Sequence, residues 1–584
     1  MPSGKWENIA YAVYGFLTGK IISICKDKPL QISVPGFLKK HINFFRDTIG
    51  LYKGKMYEFN KNVVEKPTLA KELNLEKNPL VRFQNKVFDT DKVGNFYKRE
   101  LSQFQYEFLR NIFLIRQENK PFCLILPKNK AHVLLAKEYL DKKEYRFSSL
   151  LTIVYLATGV FSVFVGIAFA LRIKPARRKY EEGLILRQLM NGFGDGRKGF
   201  QDNFLVDGNL IHESDYIFYK SRNNESGRIL AYKQAKERNY KIIVLDSSFN
   251  IDRCFLKHLK NNIFFSGLYL FQALCNSPYL LPYLGVFLSN SSDSYRLFSF
   301  CKVSNYHSVE DYGDIVKTIV ANQLGIKVFL YHWSDITVFP AANHQFIAHH
   351  DLFVWGPIMK NYQYRYSKCD NVYCIGCNFS NSYNEMSKEE LRERLKLRMD
   401  RSVVTFYTSS PGGDNSPLSK EVNEDFLETA INFAKKNPNI QTIIRPKGRS
   451  SIINPKELES ASKKYDIKIF YSDEVFISDI IRASDVNVSL AMNSTTTISL
   501  LCNVPGIYYD KTENHTHPLS KYEGKLVFRD REKLFKQIDG SIKGKIKTQR
   551  VPELKEYNVP DADPVDIIRR YIRYGKVDEI YRFK

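Results

Sequence analysis

From about Ser214 onward, apolar residues come in short runs separated by segments of helical spacing, the alternation expected of a parallel α/β sheet. DYIFYKS (215–221) reads as a strand, Arg228–Arg238 as a helix and YKIIVLD (240–246) as the next strand. Ser308 followed by Asp311 starts a helix in the manner of a capping box. Ile315, Val316, Ile319 and Val320 share its apolar face, and Gly325 closes it. The strands IKVFLYHW, DLFVWG and NVYCIG follow, so residues 214–386 form one α/β lobe. Residues 387–401, SKEELRERLKLRMDR, read as a charged helix that joins two lobes with a solvated face. The pattern then restarts over 402–584 with VVTFYTSS, a helix over Phe426–Lys436 stopped at Asn437 and Pro438, and the strands TIIRPKG and IKIFYS. The most legible unit is Asp485–Asp510. It has a strand with Val486, Val488 and Leu490, then MNSTTT with Asn493 and Ser494 as N-caps of a helix through Ile498, Leu500 and Leu501. Asn503 and Pro505 stop that helix, and Gly506–Tyr509 is the next strand. The expected fold is α/β: two Rossmann-like, doubly wound lobes with a crevice between their carboxyl edges.

The first third of the chain reads differently. Residues 1–146 form a basic, mixed α/β region, in which FCLILP and the helix after it make one βα unit and Phe104–Ile115 is helical. Residues 147–171 carry no charge and are long enough to cross a hydrocarbon layer of about 30 Å. Lys142, Lys143 and Arg146 precede them; Arg172, Lys174, Arg177, Arg178 and Lys179 follow. The heavier cluster after the segment favours a cytoplasmic place for what comes next. A single transmembrane helix is therefore expected, with a buried helix or one that dips into the bilayer as alternatives. Residues 172–213 read as a basic connector, and its glycine-containing stretch NGFGDGRKG, with no strand before it, as a linker. The aromatic run 262–288, interrupted by Pro278 and Pro282, reads as an acceptor-side or membrane-facing subregion.

Composition narrows the partners. Of 584 residues 43% are hydrophobic and 14% aromatic, which suits a folded protein, and a net charge of +24 calls for something anionic. An anionic membrane surface or a phosphorylated substrate fits; nucleic acid does not, because the aromatics track core strands and not basic patches. Nine cysteines at irregular spacing suit a reducing compartment. Cys369, Cys374 and Cys377 have no second pair of ligand spacing beside them, and the acidic triplets Asp89–Asp91 and Asp561–Asp563 follow no clear apolar strand. Neither a metal nor a bound cofactor is expected.

Three loops after strand ends of the second lobe should converge. TSSPGGD (408–414) brings Ser409, Ser410, Gly412 and Gly413, small enough for a ligand to approach the backbone. RPKGR (445–449) brings Arg445 and Lys447, which neutralise phosphate. Asn493, Ser494, Thr495 and Thr496 gather hydroxyls and unpaired amides at a helix N-terminus, where an anion is favoured; the same residues also suit a capped structural turn. In the first lobe His332 follows a strand, with Asp335 one turn on. Such a pair can take a hydroxyl proton near neutral pH; a strand-end histidine bonded to backbone is the alternative. His307, Glu310, Asp311 and Asp314 read as capping and solvated groups, His349, His350 and Asp351 as a loop cluster, and His515 and His517 as contacts for nucleotide or sugar at the crevice.

Over Ser214–Gly540, this order of elements with the motifs HWS, RPKGR and MNSTTT resembles the GT-B glycosyltransferases, in particular the bacterial envelope branch of poly(glycerol phosphate) transferases and capsule transferases with CDP- or CMP-linked donors. The resemblance implies a nucleotide-sugar donor on the second lobe, a glycan or polyprenyl-phosphate-linked acceptor on the first, His332 as base, and inversion without a metal. It also implies a bacterial inner-membrane setting with the lobes on the cytoplasmic side. The chain departs from the family at HWS, where relatives carry a WHG-type motif, and at Lys447, where histidine is commoner. A non-catalytic scaffold of the same fold and a nucleotide-sugar epimerase are the alternatives.

Overall fold

The computed structural model describes residues 66–583 apart from 118–122, 172–173, 177–179, 191–192, 194–201, 222–228, 246–247, 251, 309–314, 333–343, 378–385, 410–417, 419, 448–453, 472–474, 492, 513–516 and 547–562. The chain enters through helices at Pro79–Phe88 and Val93–Gln117, the second reaching well beyond the 104–115 expected. The Asn78 side chain caps the first by accepting from the Leu80 amide at 3.0 Å. Strand Leu124–Pro127, helix Lys130–Tyr139 and strand Tyr145–Ser148 form the expected βα unit, closed as a parallel pair. This region is not a separate body. Phe88 and Phe96 meet Phe287 of the first lobe edge-on at 5.3 Å, and Lys92 pairs with Asp370 at 2.5 Å.

The uncharged segment is one helix, α1 (Ser149–Leu171), of 23 residues. Its buried positions, Tyr155, Gly159, Ser162, Val163, Gly166 and Ala170, fall on one face at helical spacing. The first lobe then opens with β1 (Ile185–Gln188), β2 (Tyr216–Ser221) and β3 (Lys241–Leu245). The aromatic run that follows becomes α2 (Ser266–Asn276) and α3 (Leu281–Phe298), with Pro278 starting the short turn between them. Glycine decides how α1 meets α3. A Cβ on Gly285 would overlap the Ser162 carbonyl, and one on Gly166 would lie 2.6 Å from the Gly285 carbonyl oxygen. The Ser162 hydroxyl donates to the Pro282 carbonyl at 3.0 Å and Tyr155 to that of Tyr279 at 3.0 Å.

The lobe continues with β4 (Asn305–Ser308), β5 (Lys327–Tyr331), β6 (Ala348–Val354) and β7 (Lys368–Cys374). The seven strands are parallel and lie in the order β7-β6-β5-β4-β1-β2-β3. The direction of winding therefore reverses between β1 and β4, the point at which such sheets open a binding crevice. Two expectations change here. The stretch read as connector supplies the interior strand β1, just before NGFGDGRKG, whose residues 191–192 and 194–199 lie outside those described. His349, His350 and Asp351 lie inside β6 and not in a loop, because partners elsewhere satisfy them: Thr318 Oγ1 at 3.1 Å, the Val328 amide at 2.8 Å and Tyr571 Oη at 2.5 Å.

The charged helix is α4 (Lys388–Arg394), half the expected length; Lys396 takes the left-handed conformation at φ 52° and ends the turn. Nor is it a free hinge. Arg392 is buried and reaches Asp485 at 2.6 Å and the Ala483 carbonyl at 2.9 Å, which fixes α4 to the second lobe. That lobe holds β8 (Ser402–Tyr407), β9 (Ile440–Arg445), β10 (Lys468–Ile469), β11 (Val486–Leu490), α5 (Ser494–Leu501), β12 (Gly506–Tyr509) and β13 (Val527–Phe528). Its six parallel strands lie in the order β10-β9-β8-β11-β12-β13, reversing between β8 and β11. The last helix, α6 (Pro564–Tyr574), leaves this lobe and returns to the first. Arg569 donates to the Leu205 carbonyl at 2.9 Å, Tyr571 to Asp351 and the Phe583 amide to the Val372 carbonyl at 2.8 Å.

Candidate active site

At the carboxyl edge of the second sheet, β8 runs into Thr408 and Ser409, and β11 into the turn before α5. The Thr408 amide donates to the Arg445 carbonyl at 3.2 Å, which draws the loops after β8 and β9 together. Ala491 makes the turn after β11 at φ 53°, its amide held by the Tyr509 carbonyl at 2.8 Å. Asn493 then caps α5. Its Oδ1 accepts from the Thr495 amide at 3.0 Å and its Nδ2 donates to the Leu490 carbonyl at 3.1 Å.

The hydroxyls of MNSTTT divide by position. Thr496 bonds to Ser489 and donates to the Ile507 carbonyl at 3.1 Å, and Thr497 meets Tyr508 Oη at 3.0 Å. Those two side chains pin α5 onto β11 and β12. Ser494 and Thr495 lie at the first turn, half-buried and buried. Ser409 lies buried at the end of β8; Ser410, Gly412 and Gly413 lie outside the described residues.

Arg445 is the most telling group on this edge. Its side chain is 8% exposed and one Nη donates to the Val475 carbonyl at 3.3 Å. Nε has no hydrogen-bond partner, and no carboxylate pairs with the guanidinium among the described residues. Burial lowers its pKa, with the hydroxyl of Tyr407 nearby acting in the opposite direction. A buried cation left without a counter-charge is costly unless an anion completes it. Lys447, two residues on, is exposed.

On the first sheet, His332 sits just past β5 and is 1% exposed. Its carbonyl accepts from Trp355 Nε1 at 2.9 Å, its amide donates to the Phe353 carbonyl at 3.0 Å, and its Nδ1 is hydrogen-bonded to Tyr364 Oη. Asp335 lies outside the described residues, as does His515. His517 is buried at 2% exposure; its Nδ1 accepts from the Leu519 amide at 3.1 Å, and burial pulls its pKa down to about 3. The ring stands edge-on to Tyr362 of the first lobe, centroids 5.2 Å apart. One segment after β6 thus touches both expected histidines, Tyr364 holding His332 and Tyr362 packing on His517.

Sequence reasoning missed a cluster at the first reversal point. Arg187 of β1 faces His307 of β4 in register, its Nη1 2.7 Å from His307 Nδ1, and pairs with Asp202 at 3.3 Å. All three are buried; the His307 ring stacks on Phe329 at 4.6 Å, and burial next to Arg187 holds its pKa well below the ordinary value. His307 is therefore a strand residue in a polar cluster and not a solvated capping group. The signal was LILRQL (184–189), a short apolar run hidden by its arginine. Of the acidic triplets, Asp91 pairs with Lys368 at 2.8 Å and Asp563 caps α6, while Asp561 lies outside the described residues.

Residues 288–538 match the family described as polysaccharide biosynthesis PFTS motif protein, a stretch of fewer than half of the chain's 584 residues. It runs from α3 through the reversal point of the second lobe. No curated protein matches the chain. Among solved structures, the wall teichoic acid polymerase TagF is similar at 10% identity and a TM-score of 0.37, over 73% of this chain and 96% of that one. A glycosyltransferase from Rickettsia africae gives 10% and 0.33, over 68% and 93%. The α,α-trehalose 6-phosphate synthase of Burkholderia multivorans gives 10% and 0.35, over 66% and 96%. At such scores the likeness is coarse, and it is the two strand orders that define this fold.

Proposed function

We propose that this chain is a glycosyltransferase of the two-lobed GT-B type that moves a nucleotide-activated sugar, or a sugar-like phosphate unit, onto an envelope polysaccharide or lipid-linked acceptor. The observation that carries the reading is Arg445, a buried guanidinium at the carboxyl edge of the second sheet that no carboxylate among the described residues pairs. The donor's phosphates, CMP- or CDP-linked in this reading, supply that charge, joined by Lys447 and by the first turn of α5 at Ser494 and Thr495. These groups stabilise the leaving nucleotide, so the chemistry runs without a metal. His332, its ring fixed by Tyr364, takes the proton of the acceptor hydroxyl; attack from the face opposite the leaving group inverts the anomeric carbon. Because His332 is 1% exposed, the acceptor reaches it by displacing part of the segment that carries Tyr364. The match of residues 288–538 to a polysaccharide-biosynthesis family supports the product class. The proposed setting is the cytoplasmic face of the bacterial inner membrane.

A second reading, a scaffold that binds nucleotide without turning it over, is favoured by the burial of both His332 and His517. A thermal-shift titration against CMP, CDP, UDP and GDP tests the donor site, since a ligand of the native state raises its stability by mass action. The transferase reading expects a shift with one nucleotide that Ser494→Ala/Thr495→Ala weakens, and turnover with a glycan acceptor that His332→Ala abolishes. No shift with any nucleotide rejects both readings; a shift without turnover leaves the scaffold.

A further inference from the structure

Two neighbouring helices of the first lobe have apolar faces left uncovered by the described residues. On α1, Leu150, Ile153, Phe161, Phe164 and Leu171 are between 57% and 69% exposed, opposite the glycine face that α3 covers. On α2 and the turn before it, Phe264 is 77% exposed, Phe271 60%, Leu268 48% and Leu274 43%. The two helices adjoin: α1 packs beside α2 and that turn, and His258 Nε2 lies 3.3 Å from the Ala170 carbonyl near the end of α1. So many large exposed apolar side chains on adjacent helices are unusual for a surface that meets water alone.

The charges around this face say what covers it. Lys142, Lys143 and Arg146 are exposed just before α1, and Arg253 and Lys260 are exposed around His258 at its other end. In sequence, Arg172 and Lys174 follow the helix directly. Cations thus flank both ends of a helix about 35 Å long. The side of α1 turned to the lobe is not apolar surroundings throughout. Tyr155 and Ser162 donate there to the Tyr279 and Pro282 carbonyls, and the buried His258, itself 3.1 Å from the Asn262 side-chain amide, lies against the Ala170 carbonyl. A helix crossing a bilayer would carry those polar groups into hydrocarbon, at high cost. An apolar stripe with basic residues at both ends fits a helix lying in the headgroup boundary of one anionic leaflet.

We propose that α1 and α2 form an interfacial patch that seats the first lobe on an anionic bilayer leaflet, with α1 lying along the surface and not crossing it. The patch holds whatever the crevice binds: flotation reads lipid, whereas the nucleotide titration reads the second lobe.

The test is flotation of the full-length protein after detergent removal in the presence of vesicles of phosphatidylcholine, alone or mixed with phosphatidylglycerol. The protein should float with the mixed vesicles, bind the neutral ones about tenfold less well, and come off in alkaline carbonate. Phe161→Asp/Phe164→Asp and Phe264→Asp/Phe271→Asp should each lower flotation by about tenfold with circular dichroism unchanged. Retention on the vesicles after carbonate would mean that α1 spans and would overturn the proposal. So would equal binding to both kinds of vesicle, absence of flotation, or a lipid-free dimer, seen by sedimentation, that the same variants dissociate. The wild-type lipid preference does not depend on either variant folding.

Discussion

In the proposed reading, Arg445 separates stability from function at a single residue. Its guanidinium is buried and has no carboxylate partner among the described residues, so Arg445→Met should stabilise the unliganded protein, on the order of 1–3 kcal/mol, while removing the nucleotide-dependent thermal shift. A melting temperature that falls, with the nucleotide shift intact, would make Arg445 a structural residue. The buried histidines set a second residue-scale expectation. Burial pulls His517 and His132 down to about 3 and His258 to about 4. Each is neutral in the fold, and the unfolded chain begins to bind these protons below an ordinary value near 6.5. Their contribution is therefore fully present above that value and is lost as pH falls towards the folded ones, by up to roughly 1.4 kcal/mol per pH unit for each group. Urea melts across that window should show stability falling with acid, and His517→Gln should make the fall shallower. An unchanged slope in the variant would mean that His517 already carries its proton in the fold.

At the scale of elements, the crossing of α1 and α3 is the most exacting contact. Gly166→Val forces a branched side chain towards the Gly285 carbonyl and should cost about 1–3 kcal/mol, read as a lower melting temperature, whereas Ala168→Val on the uncovered face should be nearly neutral. Elements with unbroken apolar pattern were legible in the sequence: β8, β9, β11 and β12 are buried strands of a parallel sheet and read as such, and Asn493 caps α5 where expected. Those that were not legible owe their burial to partners far along the chain. β1 carries Arg187, whose counter-charge Asp202 and neighbour His307 no local window contains. In β6, His349 and Asp351 are strand residues because Thr318 and Tyr571 satisfy them. The expected phosphate cluster was legible as a helix start, but the use of Thr496 and Thr497 as pins was not, since it depends on β11 and β12 lying beneath.

The molecule as a whole is fastened by its C-terminal segment. Having completed the second lobe, the chain sends α6 back to the first, where Tyr571 donates to the buried Asp351 and Arg569 reaches the Leu205 carbonyl. Tyr571→Phe should leave that carboxylate short of a donor and lower stability by about 1–3 kcal/mol, with nucleotide binding at the second lobe unchanged. If the variant melts like the wild type, the contact adds nothing to the union of the lobes. The segment after β6 links them a second time, through Tyr362 on His517 and Tyr364 on His332, with a single residue between the two tyrosines. A donor that shifts His517 on arrival must shift Tyr362, and a backbone this short passes the displacement to Tyr364. For the proposed transferase, the expected kinetic consequence is a compulsory sequence of arrivals: donor first, then acceptor. Initial-velocity patterns and product inhibition should be those of an ordered reaction, and Tyr362→Ala should make the order random.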